Sequence, residues 1–193
     1  MTFGSSNTYL KASTLPSEEG KKGNSVNEEK KKLPSPGWAH SAGLVSLGSG
    51  PTQIDHGLLP QRILIAERMY RYGWAFDERQ EHALGECFTD DATWEANIMG
   101  VDSIGPHVGR MAILEFMMGF WPAQKDQRRH MIMNVIIESL NERSANVLCY
   151  HLLMSAYMGN LIPITAGFYR VEMLNENDVW KIHRLLAGYD LPF

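Results

Sequence analysis

At 193 residues and 44% hydrophobic content, the chain is long enough for one domain with a real core and too short for two comfortable ones. Its formal net charge of −4 argues against a general nucleic-acid binder, and no apolar run reaches the ~18 residues that span a membrane. The only cysteines, Cys87 and Cys149, are far apart and belong to no CxxC or Cys/His cluster; this argues against a disulfide framework or a zinc site and fits a reducing cytoplasm.

Residues 1–57 are rich in Ser, Gly, Lys, Glu, Asn and Pro and show no sustained apolar period, which predicts a disordered arm. The run Lys30-Lys31-Lys32 follows Glu28-Glu29 and reads as a solvated segment, while 43–47 is apolar enough to dock on the domain or on a neighbouring subunit. The folded domain is predicted over 58–193. Ile63, Ala66, Tyr70, Gly73 and Asp77 follow the spacing of one helix face. A short helix over 81–88 should stop at Thr89-Asp90-Asp91, and 92–99 reads as a strand. Residues 100–109 read as a loop around Gly105-Pro106; 110–120 suits a third helix that ends before Pro122. Strands are then predicted over 129–138, 146–157, 164–174 and 179–187, with turns at Asn141-Glu142, at Gly159-Asn160 and over 175–178. Helices followed by a meander of long strands give an α+β class.

Asp77 is out of place on a stripe that should face the core, since a buried carboxylate needs a partner. Its plainer reading is a helix-end residue that turns to solvent or caps the next helix. His130 shares a strand face with Ile132, Asn134 and Ile136, as a pocket wall would; its plainer reading is a core histidine bonded to a backbone carbonyl. Together they make more sense than apart. A carboxylate holds an imidazole in one tautomer, ready to take a proton from carbon or water. Trp94 shares its side of a strand with Ala92 and Ala96 and offers a ring N–H. Tyr70 and Tyr72 are possible acids, and His151 and Tyr157 share a face with Cys149 and Ser155. Arg184 shares the face of Trp180 and Ile182, where it could bind an oxyanion or pair with a carboxylate. No G-x-G-x-x-G or P-loop occurs.

The run 70–88 continues into Phe88-Thr89-Asp90-Asp91-Ala92-Thr93-Trp94. Gly105-Pro106-His107-Val108-Gly109-Arg110, then Arg129-His130 with Asn134, and finally Val179-Trp180-Lys181 follow. This succession resembles the SnoaL-like group of the NTF2-like superfamily over 59–189. The resemblance implies a strongly curved, mostly antiparallel sheet wrapped around three helices as a cone enclosing a pocket. Within that group, hexachlorocyclohexane dehydrochlorinase and scytalone dehydratase are the functional look-alikes. The resemblance to both makes Asp77 and His130 the catalytic dyad. Trp94 matches a pocket Trp of the dehydrochlorinase, whose catalytic Lys falls at Tyr72 and whose Arg falls near Arg184. The dehydratase's Tyr pair falls at Phe76 and Trp94, and its second His near Tyr157.

The expectation is therefore a lyase or isomerase without cofactor or metal, acting by elimination or double-bond shift on a hydrophobic small molecule. Asp77 and His130 would be catalytic; Tyr72, Trp94, Asn134, Tyr157 and Arg184 would contact substrate. A homodimer or homotrimer is expected, with neither nucleic acid nor membrane as partner. Two alternatives stand beside it: a non-catalytic binding module or small subunit of a ring-hydroxylating dioxygenase, and an epoxide or lactone hydrolase.

Overall fold

The computed structural model describes residues 34–50 and 55–192. The expectations for 1–33, including the lysine run, and for 51–54 lie outside the described residues.

After the four-residue helix α1 (Trp38–Ser41), the main helix α2 (Leu59–Asp77) begins with Pro60 in its first turn, where a missing N–H is harmless. Its buried face runs through Ile65, Met69, Tyr72 and Gly73. Ile63 and Tyr70, on the stripe predicted to face the core, are instead 68% and 45% exposed. Asp77 is nonetheless buried, because the last turn of α2 lies against a strand rather than over the sheet centre. Helix α3 (Glu81–Gly85) follows a turn in which Arg79 takes a φ of 54°.

Strand β1 (Phe88–Ile98) starts before the predicted strand and absorbs the Thr-Asp-Asp turn signal. The segment expected to be a loop forms β2 (Asp102–Val108). It is an edge strand paired only with β1, so Pro106 removes no needed donor, and a register irregularity between Trp94 and Ala96 takes up the Gly-Pro step. Helix α4 (Arg110–Met118) leads to the long strands β3 (Gln127–Leu140), β4 (Ser144–Tyr157), β5 (Asn160–Glu176) and β6 (Val179–Tyr189). The turn at Asn141 follows the sequence, whereas the turn expected at Gly159-Asn160 sits one residue earlier and the one expected over 175–178 narrows to two residues, because the paired strands extend into both. Asn141 Oδ1 accepts the N–H groups of Arg143 and Ser144 at 2.8 and 2.9 Å. Met158-Gly159 and Asn177-Asp178 make two-residue hairpins with positive φ at both positions.

The expected strongly curved, wrapped cone is corrected. The strands lie in the order β2-β1-β6-β5-β4-β3, as an open six-stranded sheet that is neither strongly curved nor closed. The sheet is also mixed, since β1 and β6 pair in parallel. The cause is the connection through α4. It carries the chain from β2 at one edge to β3 at the other, and the meander then returns until β6 meets β1. β2 and β3 are left as separate edges. The class remains α+β, with one core formed by the helices and the alternating buried positions of the sheet, among them Val147, Cys149, Tyr169, Val171, Ile182 and Leu185.

Residues 34–50 rest on the opposite sheet face, where Phe168 and Arg170 alternate with the core-facing Tyr169 and Val171. Trp38 packs on Phe168 with ring centres 5.7 Å apart, and its Nε1 donates to Asp190 Oδ1 at 2.7 Å. Arg170 donates to the Leu44 carbonyl. Among the described residues, no helix is long and apolar enough to cross a membrane.

Candidate active site

The end of α2 and the start of β3 bring Asp77 and His130 together. Asp77 Oδ1 lies 2.6 Å from His130 Nδ1, and its Oδ2 accepts the backbone N–H of the same residue at 2.7 Å. The two side chains are only 5% and 10% exposed, so this is a buried ion-pair geometry. A carboxylate accepts and does not donate, so Nδ1 carries the hydrogen; in the neutral ring Nε2 then keeps its lone pair. Gln127 Nε2 donates to the Asp77 carbonyl at 3.2 Å and fixes the helix end. Phe76 meets the imidazole edge-on at 5.0 Å. Neither plainer reading describes this arrangement: α3 has no side-chain cap, and the His130 ring is bonded to a carboxylate rather than to a carbonyl.

His130 forms part of the wall of a cavity of about 150 Å³. Aromatic rings dominate the wall: Tyr72, Phe76, Trp94, Phe116, Phe120 and Tyr189, with Met117 and Leu153 between them. Gln124 and Arg128 supply the remaining polar groups. Tyr72 is fully buried, edge-on to Phe88 and Tyr169. Burial, reinforced by Tyr189, pushes its hydroxyl well above the phenol range, so it stays a neutral donor. The Trp94 indole N–H is a buried donor in the wall next to the Tyr72 hydroxyl, with no hydrogen-bond partner among the described residues.

Of the predicted site residues, Asp77, His130, Tyr72 and Trp94 come together. Asn134, Tyr157 and Arg184 do not line this cavity. Asn134 is exposed at a bulge of β3, with φ 53°, where the register shifts between Met133 and Ile136. Tyr157 ends β4 beside the hairpin turn and is 48% exposed. Arg184 faces away from the core, 3.6 Å from Glu172, because a register irregularity in the β5–β6 ladder reverses the alternation that Trp180 and Ile182 set. His151 is buried elsewhere in the core, donating to the Gly188 carbonyl at 3.2 Å and stacked on Tyr169. Burial lowers its pKa to about 4, with a smaller push from His130. The sequence reading missed Arg128, Gln124, Leu153 and Tyr189. For Arg128 the signal was present, since it stands two residues before His130 and strand alternation puts both on one side.

Among the described residues, no group of three or more His, Cys, Asp or Glu is placed to hold a metal ion.

Residues 59–185 match the family model described as a SnoaL-like domain. No curated protein matches the chain. Solved structures do. An NTF2-like protein with a cystatin-like fold from Novosphingobium aromaticivorans is 19% identical, with a TM-score of 0.59, covering 69% of this chain and 84% of that one. The beta subunit of a protein named as an aromatic-ring-hydroxylating dioxygenase, from the same organism, is 14% identical at a TM-score of 0.61, covering 72% and 94%. A protein from Catenulispora acidiphila, in complex with S-DNPA, is 20% identical at 0.58, covering 68% and 94%. At these identities the likeness is one of fold.

Proposed function

The chain belongs to the SnoaL-like domain family, and on that premise we propose that it is a lyase or isomerase that works with its own side chains on a hydrophobic small molecule. The observation that carries this reading is the two-point grip of Asp77 on His130, which fixes one ring nitrogen as donor and leaves the other as base in an aromatic cavity.

In this mechanism His130 Nε2 takes a proton from a carbon next to a carbonyl or leaving group. The electron pair of the broken C–H bond forms a new double bond as the leaving group departs. In the isomerase variant, the dienolate is instead reprotonated at another carbon. Asp77 holds the imidazolium in place and balances its charge. The neutral Tyr72 hydroxyl and the unpartnered Trp94 N–H are the donors for the developing oxyanion or departing group. A substrate that fills the aromatic walls displaces water, which strengthens each of these interactions. The likenesses to scytalone dehydratase and the dehydrochlorinase belong to this proposal, as does a ligand such as the one held by the C. acidiphila protein.

Deuterium wash-in from D2O at the acidic C–H of small cyclic ketones, followed by NMR, tests proton abstraction directly. Asp77→Asn and His130→Gln should each slow exchange by roughly 10²–10⁴-fold while circular dichroism stays unchanged. Exchange at the native rate in either folded variant would sink the dyad mechanism.

A further inference from the structure

Arg128 is the charge that the dyad mechanism leaves unused. It lies on the same face of β3 as His130, two residues away, and both belong to the cavity wall. Asp126 Oδ2 meets it through Nε at 3.3 Å, which leaves the terminal amino fork for a second acceptor. The two side chains are 27% and 16% exposed, so the pair is largely out of water. Burial pushes the Asp126 carboxyl up, but a hydrogen bond from Ser155 and the charge of Arg128 outweigh it and hold the group below the usual carboxylate range. Asp126 is thus an anionic rest that aims the guanidinium. The charge of Arg128 also reaches the Tyr189 hydroxyl in the same wall, so the cation faces the cavity interior rather than bulk solvent.

Size narrows what that acceptor can be. A mainly aromatic cavity of about 150 Å³ has room for about one six-membered ring. Residues two apart on a strand are separated by about 7 Å. That span matches a single six-membered ring with an anionic group at one side and a reacting C–H at the other. The anion-holding role expected of Arg184 cannot be filled from its position opposite the core, beside Glu172.

We propose that the cavity selects a monocyclic carboxylic acid whose carboxylate is held by Arg128 while His130 takes a proton from a tetrahedral ring carbon on the far side; this rests on His130 being the base of the reaction. Arg128 is then a specificity-determining residue of the site, and Asp126 is its positioning residue. The carboxylate makes charge-assisted hydrogen bonds to the terminal amino groups, a geometry that a neutral amide of the same shape reproduces poorly.

The full chain is titrated with benzoate and with benzamide at neutral pH and low salt, and binding is read by ligand-observed NMR. Benzoate should bind about tenfold more tightly than benzamide or better. Arg128→Met should bring benzoate down to the benzamide level and leave benzamide unchanged. Arg128→Lys keeps the charge without the fork and should retain part of the preference, so it serves if the Met variant fails to fold. Equal affinities in the native chain, an unchanged preference in Arg128→Met or Arg128→Lys, or binding of neither probe would overturn the proposal. His130→Gln separates the two readings. If it keeps the benzoate preference and loses deuterium exchange, both stand. If exchange persists while the preference still follows Arg128, the base reading fails and the anion subsite remains.

Discussion

Asp77 engages His130 with both carboxylate oxygens, and this makes the imidazole tautomer a property of one side chain. In Asp77→Asn the amide oxygen can keep the backbone N–H, but its NH2 then confronts Nδ1 and can only donate. The ring should switch, with Nδ1 accepting and Nε2 protonated, so no base faces the cavity. Nitrogen-15 shifts of the His130 ring at neutral pH should report this reversal; an unchanged tautomer would disconnect the carboxylate from the ring's orientation. His151 makes a second, separate prediction. Its folded pKa of about 4 lies below the ordinary histidine value near 6.5, so between those pH values the unfolded chain binds a proton that the folded chain refuses. Stability is therefore intact above about pH 6.5 and falls as pH drops toward 4, by about 3 kcal/mol at most. Urea unfolding of the native chain and of His151→Phe at pH 7 and pH 5 should show a shallower acid loss in the variant. At this scale the dyad was legible because both members are odd for their surroundings in the sequence. For Arg128 the alternation with His130 was there to be read but was masked by a polar run, Asp126 to Arg129, where charge looks ordinary.

The elements explain which readings strand and helix periodicity could carry. The four long strands announced themselves through β-branched and aromatic runs cut by Asn and Gly turns. β2 hid behind Gly105-Pro106, since edge pairing tolerates what a central strand would not. The face of α2 was misread because two stripes compete: Leu59, Ile63, Tyr70 and Trp74 are apolar yet exposed, while Ile65, Met69 and Tyr72 are buried. Asn134 and Arg184 were assigned by strict alternation, and bulges reverse alternation after one extra residue. The join between α2 and β6 is open to a direct test. Trp180, buried in the core, donates through Nε1 to Gln61 Oε1 at 2.7 Å. Trp180→Phe should lower unfolding stability by about 1–2 kcal/mol through the lost hydrogen bond and the space left behind. A midpoint of denaturation equal to that of the native chain would show that the bond adds nothing.

For the molecule as a whole, an open sheet needs both faces accounted for. One carries the helices; the other is partly covered by residues 34–50 through the Trp38–Phe168 contact and the Trp38–Asp190 hydrogen bond. Trp38→Ala should uncover Phe168 and lower stability by about 1–2 kcal/mol, with cleavage around residue 40 accelerated under limited proteolysis. Unaltered cleavage would mean that this contact does not hold the segment. Both cysteines are buried, and burial pushes the Cys149 thiol up to about 12, so aromatic disulfide reagents should label neither until the chain unfolds.

The bulge at Asn134 bears on more than the fate of one predicted site residue. β3 is the longer of the two sheet edges and runs beside the dyad, so its outer row of N–H and C=O groups offers a template on which a stray strand could add. A left-handed residue near the middle breaks that row into two short stretches whose spacing no regular strand matches. The irregularity that turned Asn134 out of the cavity thus also makes the strand that carries His130 a poorer template for strand addition.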